Sequence, residues 1–511
     1  MSEVLKVVLA TGWGVYLLVL AIWIILEKRS PQATIGWLLA LGGLPVVGLL
    51  IYYFVGPRKL KRHRVMRGMR RQVLSSYRSY WKEQLKVAQQ FYPQAKCLDV
   101  SQLPQEGESY AALIRQLDDL HLPHMLSQQA RQLSSMVFDS TGLPISMASH
   151  YQLLEDGGQT IDAICEAIRA ARHTVHLEYY IYEPDETGTM LRDLLTEKAR
   201  AGVKVRLLVD WLGSRKITRK YMAAFIDAGG ELAFFHQGAL RWIRSVVNMR
   251  THRKIVVCDG AVGFTGGVNV TDEEDLRRNS NAYHDLHLKF EGPAVYWLEQ
   301  VFLEDWHYTT GEVPQDIPAP VPLEDVPQGK GMQVQVIASG PDTPQAPIWR
   351  AKLMAINAAR HRVWLVTPYF VPDEPALFAL SSAALRGLDV RLMVPKMSDS
   401  LVVTLAARSW YGELMAAGVR IWEYGPRMLH SKTLLVDCEY SFIGTDNFDN
   451  RSFRLNFEVA VLSYEHTAAQ ALEQQFMRDM LSARELHASD LKVPFWQQLP
   501  EDIARLGAPL L

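Results

Sequence analysis

His252-Arg253-Lys254-Ile255-Val256-Val257-Cys258-Asp259 and His430-Ser431-Lys432-Thr433-Leu434-Leu435-Val436-Asp437 are two eight-residue stretches of one pattern. Each is His-x-Lys followed, after four residues, by Asp. Downstream, at the same distance in both, come Gly266-Gly267-x-Asn269 and Gly444-Thr445-x-Asn447. The apolar residues after each Lys read as a strand. Side chains two apart on a strand share a face, so His and Lys project together while Arg253 or Ser431 points away. Each Asp falls near the turn beyond the strand and reads as a structural anchor rather than a reacting group. The glycines admit close backbone approach, and the Asn adds an amide donor.

Outward from these stretches the duplication continues. Ala171 to Leu177 matches Ala359 to Leu365, the run 200–207 matches 386–392 with one residue fewer, and Leu298 to Phe302 matches Leu472 to Phe476. A repeat of well over a hundred residues is a domain copied once, so the fold expected is two packed α/β domains forming a pseudo-dimer. Within the first copy, His176 to Tyr182 and Val203 to Val209 read as strands around a helix from Met190 to Ala201. The expected first domain runs over 141–310. A Pro-rich linker covers 311–331, and the second domain covers 332–511.

The N-terminus is of another kind. Val7 to Leu26 and Thr34 to Val55 are free of charge, 20 and 22 residues long. At about 1.5 Å per residue each can span a hydrocarbon core of about 30 Å. They read as a transmembrane hairpin over 1–56. Pro57 to Arg71 then holds eight Lys and Arg and no acid, against Lys28 and Arg29 in the hairpin loop. The positive-inside rule places the following domains in the cytoplasm. The basic segment would also attract anionic membrane lipids. Polar, helix-like sequence continues to about residue 140 as a connector. Setting those eight cations aside leaves 46 basic residues against 55 acidic ones. The remainder is therefore no electrostatic nucleic-acid binder.

Brought face to face, the two copies would supply two histidines, two lysines and two asparagines to one site. That set suits a phosphodiester: Lys254, Lys432, Asn269 and Asn447 hold the non-bridging oxygens, one imidazole attacks phosphorus, and the other handles the proton of the leaving oxygen. A carboxylate behind each ring would fix its tautomer. Asp285 and Glu458 occur at matching places, both ahead of the repeated Leu-Glu-Gln helix. His284 and His287 flank Asp285, but three residues apart on a strand they face opposite sides, so no metal site is expected there. Cys97, Cys165, Cys258 and Cys438 show no zinc spacing and read as reduced thiols. The stretches 240–250 and 401–418 mix cations or apolar residues in a way that fits either a membrane-facing segment or a packed helix.

The paired HxKxxxxD motifs, the second extending as Asn447-x-Asp449-x-Arg451-Ser452-x3-Asn456-x-Glu458, resemble those of the phospholipase D superfamily. With the hairpin and basic segment, the chain resembles membrane-anchored bacterial cardiolipin synthases over nearly its whole length. The resemblance implies two tandem α/β/α halves with the site between them, a phosphohistidine intermediate, no cofactor and no metal. It implies His252, Lys254, Asp259, His430, Lys432 and Asp437 as catalytic-motif residues, with family precedent favouring His252 as nucleophile and His430 as acid/base. The sequence by itself does not order the two. The implied reaction joins two phosphatidylglycerols and releases glycerol, at the inner membrane of a bacterium. A hydrolytic phospholipase D or another phosphatidyltransferase would use the same residues. An inactive membrane scaffold is disfavoured by two intact motifs. The first copy lacks the Arg-Ser of 451–452.

Overall fold

The computed structural model describes residues 3–26, 31–43, 126–237, 249–319, 321, 331–343, 345–492 and 494–508. The N-terminal helices Glu3–Leu26 and Pro31–Gly43 belong to a unit of their own. Leu20, Ile24 and Leu41 are buried between them, and Tyr16, Trp37 and Leu38 pack against these half-buried. Among the described residues no helix is long and apolar enough to cross a membrane. The first charge-free run lies within the first helix, and the second passes beyond the described residues after Gly43. The basic segment, most of the connector, Cys97, the stretch 240–248 and, within the Pro-rich linker, residues 320 and 322–330 also lie outside them.

The rest of the chain is built on two sheets. The first has seven strands in the order His150–Leu154, His287–Glu291, Val262–Gly266, Ile255–Cys258, Thr174–Tyr179, Lys204–Asp210 and Glu231–Phe235. The last three are parallel, and the others run antiparallel to their neighbours. Thr174–Tyr179 is buried along its whole length, as a strand covered by helices on both faces must be. The crossover helices start on side-chain caps: Asp156 accepts from Gln159 N and Asp185 from Gly188 N.

The second sheet repeats this plan with nine strands. Its order is Ile145–Ala148, Met332–Ser339, Glu458–Ser463, Tyr440–Gly444, Thr433–Val436, Arg362–Val366, Asp389–Pro395, Arg420–Tyr424 and Ala483–Glu485. Ile145–Ala148 pairs antiparallel with Met332–Ser339, and the helix Gln128–Thr141 buries Ala130, Leu133 and Val137 in the second core. By sheet membership, the first half therefore begins after Ala148 rather than at residue 141. The helix precedes the first half in sequence but completes the second, because its apolar face matches that core. The stretch 401–418 is a packed helix, Leu401–Ala416, burying Ala406, Ala407, Trp410, Tyr411 and Leu414.

The two Asp residues that close the motifs behave as anchors. Asp259 accepts the amides of Arg172, His173 and Thr174 at 2.7–2.8 Å. Asp437 accepts those of Arg360, His361 and Arg362 at 2.8–2.9 Å. Both sit at φ 52°, in the left-handed region that Asp tolerates better than most side chains. Each ties the end of a motif strand to the start of the strand beside it, away from the histidines.

Candidate active site

The halves meet through backbone. His252 N donates to Phe457 O at 2.9 Å and Phe457 N to Arg250 O at 2.8 Å. Related by the pseudo-twofold, His430 N donates to His284 O and His284 N to Met428 O, both at 2.8 Å. Each His-x-Lys segment is thus laid against the segment that precedes the carboxylate of the other half. The consequence is a crossing of partners. His252 Nδ1 donates to Glu458 Oε2 at 3.0 Å, and His430 Nδ1 donates to Asp285 Oδ2 at 2.6 Å. With the proton held on Nδ1, each Nε2 is left free for chemistry.

All four groups are buried, with His252 8% exposed, His430 6%, and Glu458 and Asp285 0%. Their surroundings differ. Glu458 accepts from four side chains: His252, Thr445 at 2.5 Å, Ser452 at 3.0 Å and Asn456 Nδ2 at 3.2 Å. Asp285 accepts from His430, Leu286 N at 2.7 Å and Lys432 Nζ at 3.5 Å. Gly267 stands where the second half has Thr445. A Cβ there would lie 2.0 Å from Asp285 Oδ1, so glycine makes room for the carboxylate.

Lys254 Nζ donates to His252 O at 2.9 Å, and Lys432 Nζ to His430 O. Lys254 lies under the Tyr180 ring, 5.5 Å from its centroid, and Tyr180 meets His252 edge-on at 4.9 Å. Tyr283 flanks His430 at 5.3 Å. Burial holds the His252 imidazole down at about 4, against the pull of Glu458, and Lys254 adds to the depression. His430 is lowered for the same first reason, then by Lys432. Burial and the facing Lys432 bring Lys254 to about 7. Burial alone would raise Glu458, but His252, its hydrogen bond and Lys254 outweigh it and hold the carboxyl at about 2. Asp285 is lowered likewise, as Lys432 and His430 overcome burial. The site is therefore two neutral imidazoles between two anions and two crowded ammonium groups. An anionic phosphodiester would relieve the repulsion between the lysines.

The expected site residues are otherwise placed as follows. Asn269 and Asn447 are buried near the centre; Asn269 Oδ1 accepts from Ile181 N, while Asn447 Oδ1 has no partner in the protein. Arg253 points away as expected, to Asp305, and also donates to Glu458 O at 3.1 Å and Ser339 O at 3.3 Å. His284 is buried and pairs with Asp479 at 2.7 Å, and His287 is buried with no hydrogen bond to its ring, so the two do not converge. Among the described residues one cluster could offer ligands to a metal, Glu274, Asp285 and His430, with ligand atoms within 4.8 Å of each other. Lys432 already supplies its positive charge. Glu274 and the ring-flanking tyrosines Tyr180 and Tyr283 were not legible in the sequence, because neither a motif nor the repeat marks them.

The description "Cardiolipin synthase, PLD-like domain" matches residues 164–306 and 353–480, and "Phospholipase D-nuclease N-terminal" matches 15–57. The crystal structure of phosphatidylserine synthase from Haemophilus influenzae shares the fold, with a TM-score of 0.55 at 15% identity over 74% of this chain and 100% of that one. Fold and paired motifs together define a phospholipase D-type phosphatidyltransferase. A cardiolipin synthase of Alkalihalophilus pseudofirmus is 36% identical over 96% of this chain and 92% of its own. One from Geobacillus kaustophilus is 38% identical over 96% and 91%. The chain belongs to the cardiolipin synthase family.

Proposed function

We propose that the protein makes cardiolipin and glycerol from two phosphatidylglycerols through a phosphatidyl-histidine. The crossed carboxylate–imidazole pairs around two buried lysines carry this reading. Lys254, Lys432, Asn269 and Asn447 hold the non-bridging oxygens of the first lipid. His252 Nε2 attacks phosphorus; His430, neutral beforehand, takes up a proton at Nε2 as the anionic phosphodiester enters, and gives it to the departing oxygen as the P–N bond forms and the P–O bond to glycerol breaks. A hydroxyl of the second phosphatidylglycerol then loses its proton to His430 Nε2. Its oxygen attacks phosphorus, and the P–N bond to His252 breaks. His252 suits the nucleophile because the charge of Glu458 is shared among four donors, whereas Asp285 has fewer and better supports an imidazolium on His430. Asp259 and Asp437 serve as anchors of the motif strands.

The N-terminal segment anchors the protein in the inner membrane of a bacterium, with the catalytic halves on the cytoplasmic side. The two charge-free runs, the eight-cation segment after them and the outward apolar side chains of the first helix, such as Leu18 at 62% and Leu26 at 71% exposed, support this. Anionic lipids lie against the basic segment.

Purified protein in phosphatidylglycerol micelles is expected to release one glycerol per cardiolipin formed, read by lipid mass spectrometry. Phosphatidic acid as the sole product would make it a hydrolase instead.

A further inference from the structure

The two halves repeat each other down to a detail that one residue breaks. In the second half, Ser452 Oγ lies five residues after Asn447, accepts the Asn447 amide at 3.1 Å and donates to Glu458 at 3.0 Å. It ties the asparagine to the carboxylate that orients His252. Five residues after Asn269 the first half has Glu274, in the short turn Asp272–Glu274. Its Oε1 accepts the Asn269 amide at 3.1 Å and Asn269 Nδ2 at 3.3 Å, so it takes over the accepting role of Ser452. The donating role remains. Glu274 is 1% exposed, its Oε2 has no partner, and its carboxyl lies within 4.8 Å of Asp285, the carboxylate that orients His430.

A carboxylate cannot donate. Two buried carboxylates this close also do not both ionise readily, and the proton goes to the one with fewer cationic partners. Asp285 has His430 and Lys432, whereas the hydrogen bonds Glu274 makes at its carboxyl are to the amide groups of Asn269. We propose that Glu274 is held as a neutral carboxylic acid and is a positioning residue, its Oε2 proton serving Asp285 as the Ser452 hydroxyl serves Glu458. The remaining gap is one that a single water or a turn of the terminal torsion closes. Burial, then the charge of Asp285, raises the acid to about 8, against the pull of Asn269 and Lys432. Lys254, Tyr179 and Tyr283 also feel its charge.

The function of the proton is twofold. With it, the charges of Lys254 and Lys432 balance those of Glu458 and Asp285, and an anionic phosphodiester enters a site of no net charge. Without it, the site is negative and Asp285 loses a donor on the side where the leaving oxygen and the incoming hydroxyl are handled. The proposal rests on the phosphodiester reading above but not on which alcohol, or water, completes the reaction.

The test compares full-length wild type, Glu274→Gln and Glu274→Ala for kcat/KM of phosphatidylglycerol consumption, whichever product forms, from pH 6 to 10. Wild type that consumes the lipid upholds the phosphodiester reading whatever the variants do. Glu274→Ala is expected to lose about tenfold or more at pH 7, and Glu274→Gln, which keeps a donor and carries no charge, to restore most of that loss. On the alkaline side, wild type is expected to lose one proton more than Glu274→Gln, that of Glu274, beside the losses at Lys254 and His430 that the two share. The limb of log(kcat/KM) should therefore be less steep by one in Glu274→Gln. Glu274→Gln at or below a tenth of wild type at pH 7 would overturn the proposal, since an anion would then be needed. An alkaline limb as steep in Glu274→Gln as in wild type would overturn it as well, and this remains readable if the Ala variant does not fold.

Discussion

His252→Ala and His430→Ala are each expected to lower phosphatidylglycerol turnover by on the order of 10,000-fold, because each removes a group for which the other cannot substitute. The two losses differ in kind. Without His252 no phosphatidyl-enzyme forms. Without His430 the nucleophile and its Glu458 partner remain, but the glycerol oxygen must leave as a basic alkoxide. A phosphatidyl ester of nitrophenol carries a leaving group that needs no proton. Rapid mixing with that ester should give His430→Ala a burst of about one nitrophenolate per chain, followed by stalling, since the base for the second step is missing. His252→Ala should give no burst. The reverse pattern would exchange the two roles, and equal bursts from both would contradict a single nucleophile.

The second large effect is expected from Glu458→Gln. The carboxylate keeps the His252 proton on Nδ1 at 3.0 Å and collects three further donors. An amide of the same shape can present its NH2 to the ring, which then carries its proton on Nε2 and has no lone pair for phosphorus. A loss of about 1,000- to 10,000-fold in kcat with KM little changed is expected, as for other carboxylates that set a catalytic tautomer. The change also has a stability signature. The carboxyl is held at about 2 in the folded protein, below the usual glutamate value of about 4.3. Its contribution is present above that ordinary value and is lost as pH falls toward 2. Thermal unfolding of the variant should depend less steeply on pH between about 4 and 2 than wild type.

Much of this site could be read from the chain, because duplication turns a weak motif into a strong one. His252 and His430, their lysines, the two asparagines, and Asp285 and Glu458 stand at matching places, and period-two reasoning put Arg253 and Ser431 on the far face. Asp259 and Asp437 were legible as anchors for the same reason, since they follow the apolar run. What could not be read is pairing between distant segments. Glu458 is 206 residues from His252, and Asp285 is 145 from His430. Local periodicity says nothing of which carboxylate meets which ring. The crossing follows from the laying of Thr251 against Phe457 and His284 against Leu429. The same limit hid the docking of Ile145–Ala148 on the second sheet. Glu274 escaped because the repeat offers a serine at its place, and a sequence comparison of the copies passes over a mismatch that the geometry makes meaningful.

The central claim is that one site shared by both halves works through a phosphatidyl group on His252. Incubating His430→Ala with the nitrophenyl ester, quenching at alkaline pH where phosphohistidine survives, and mapping the peptides by mass spectrometry tests it most directly. The account predicts one phosphatidyl adduct, on the peptide that carries His252. An adduct on any other residue, or none while nitrophenolate is released, would contradict it.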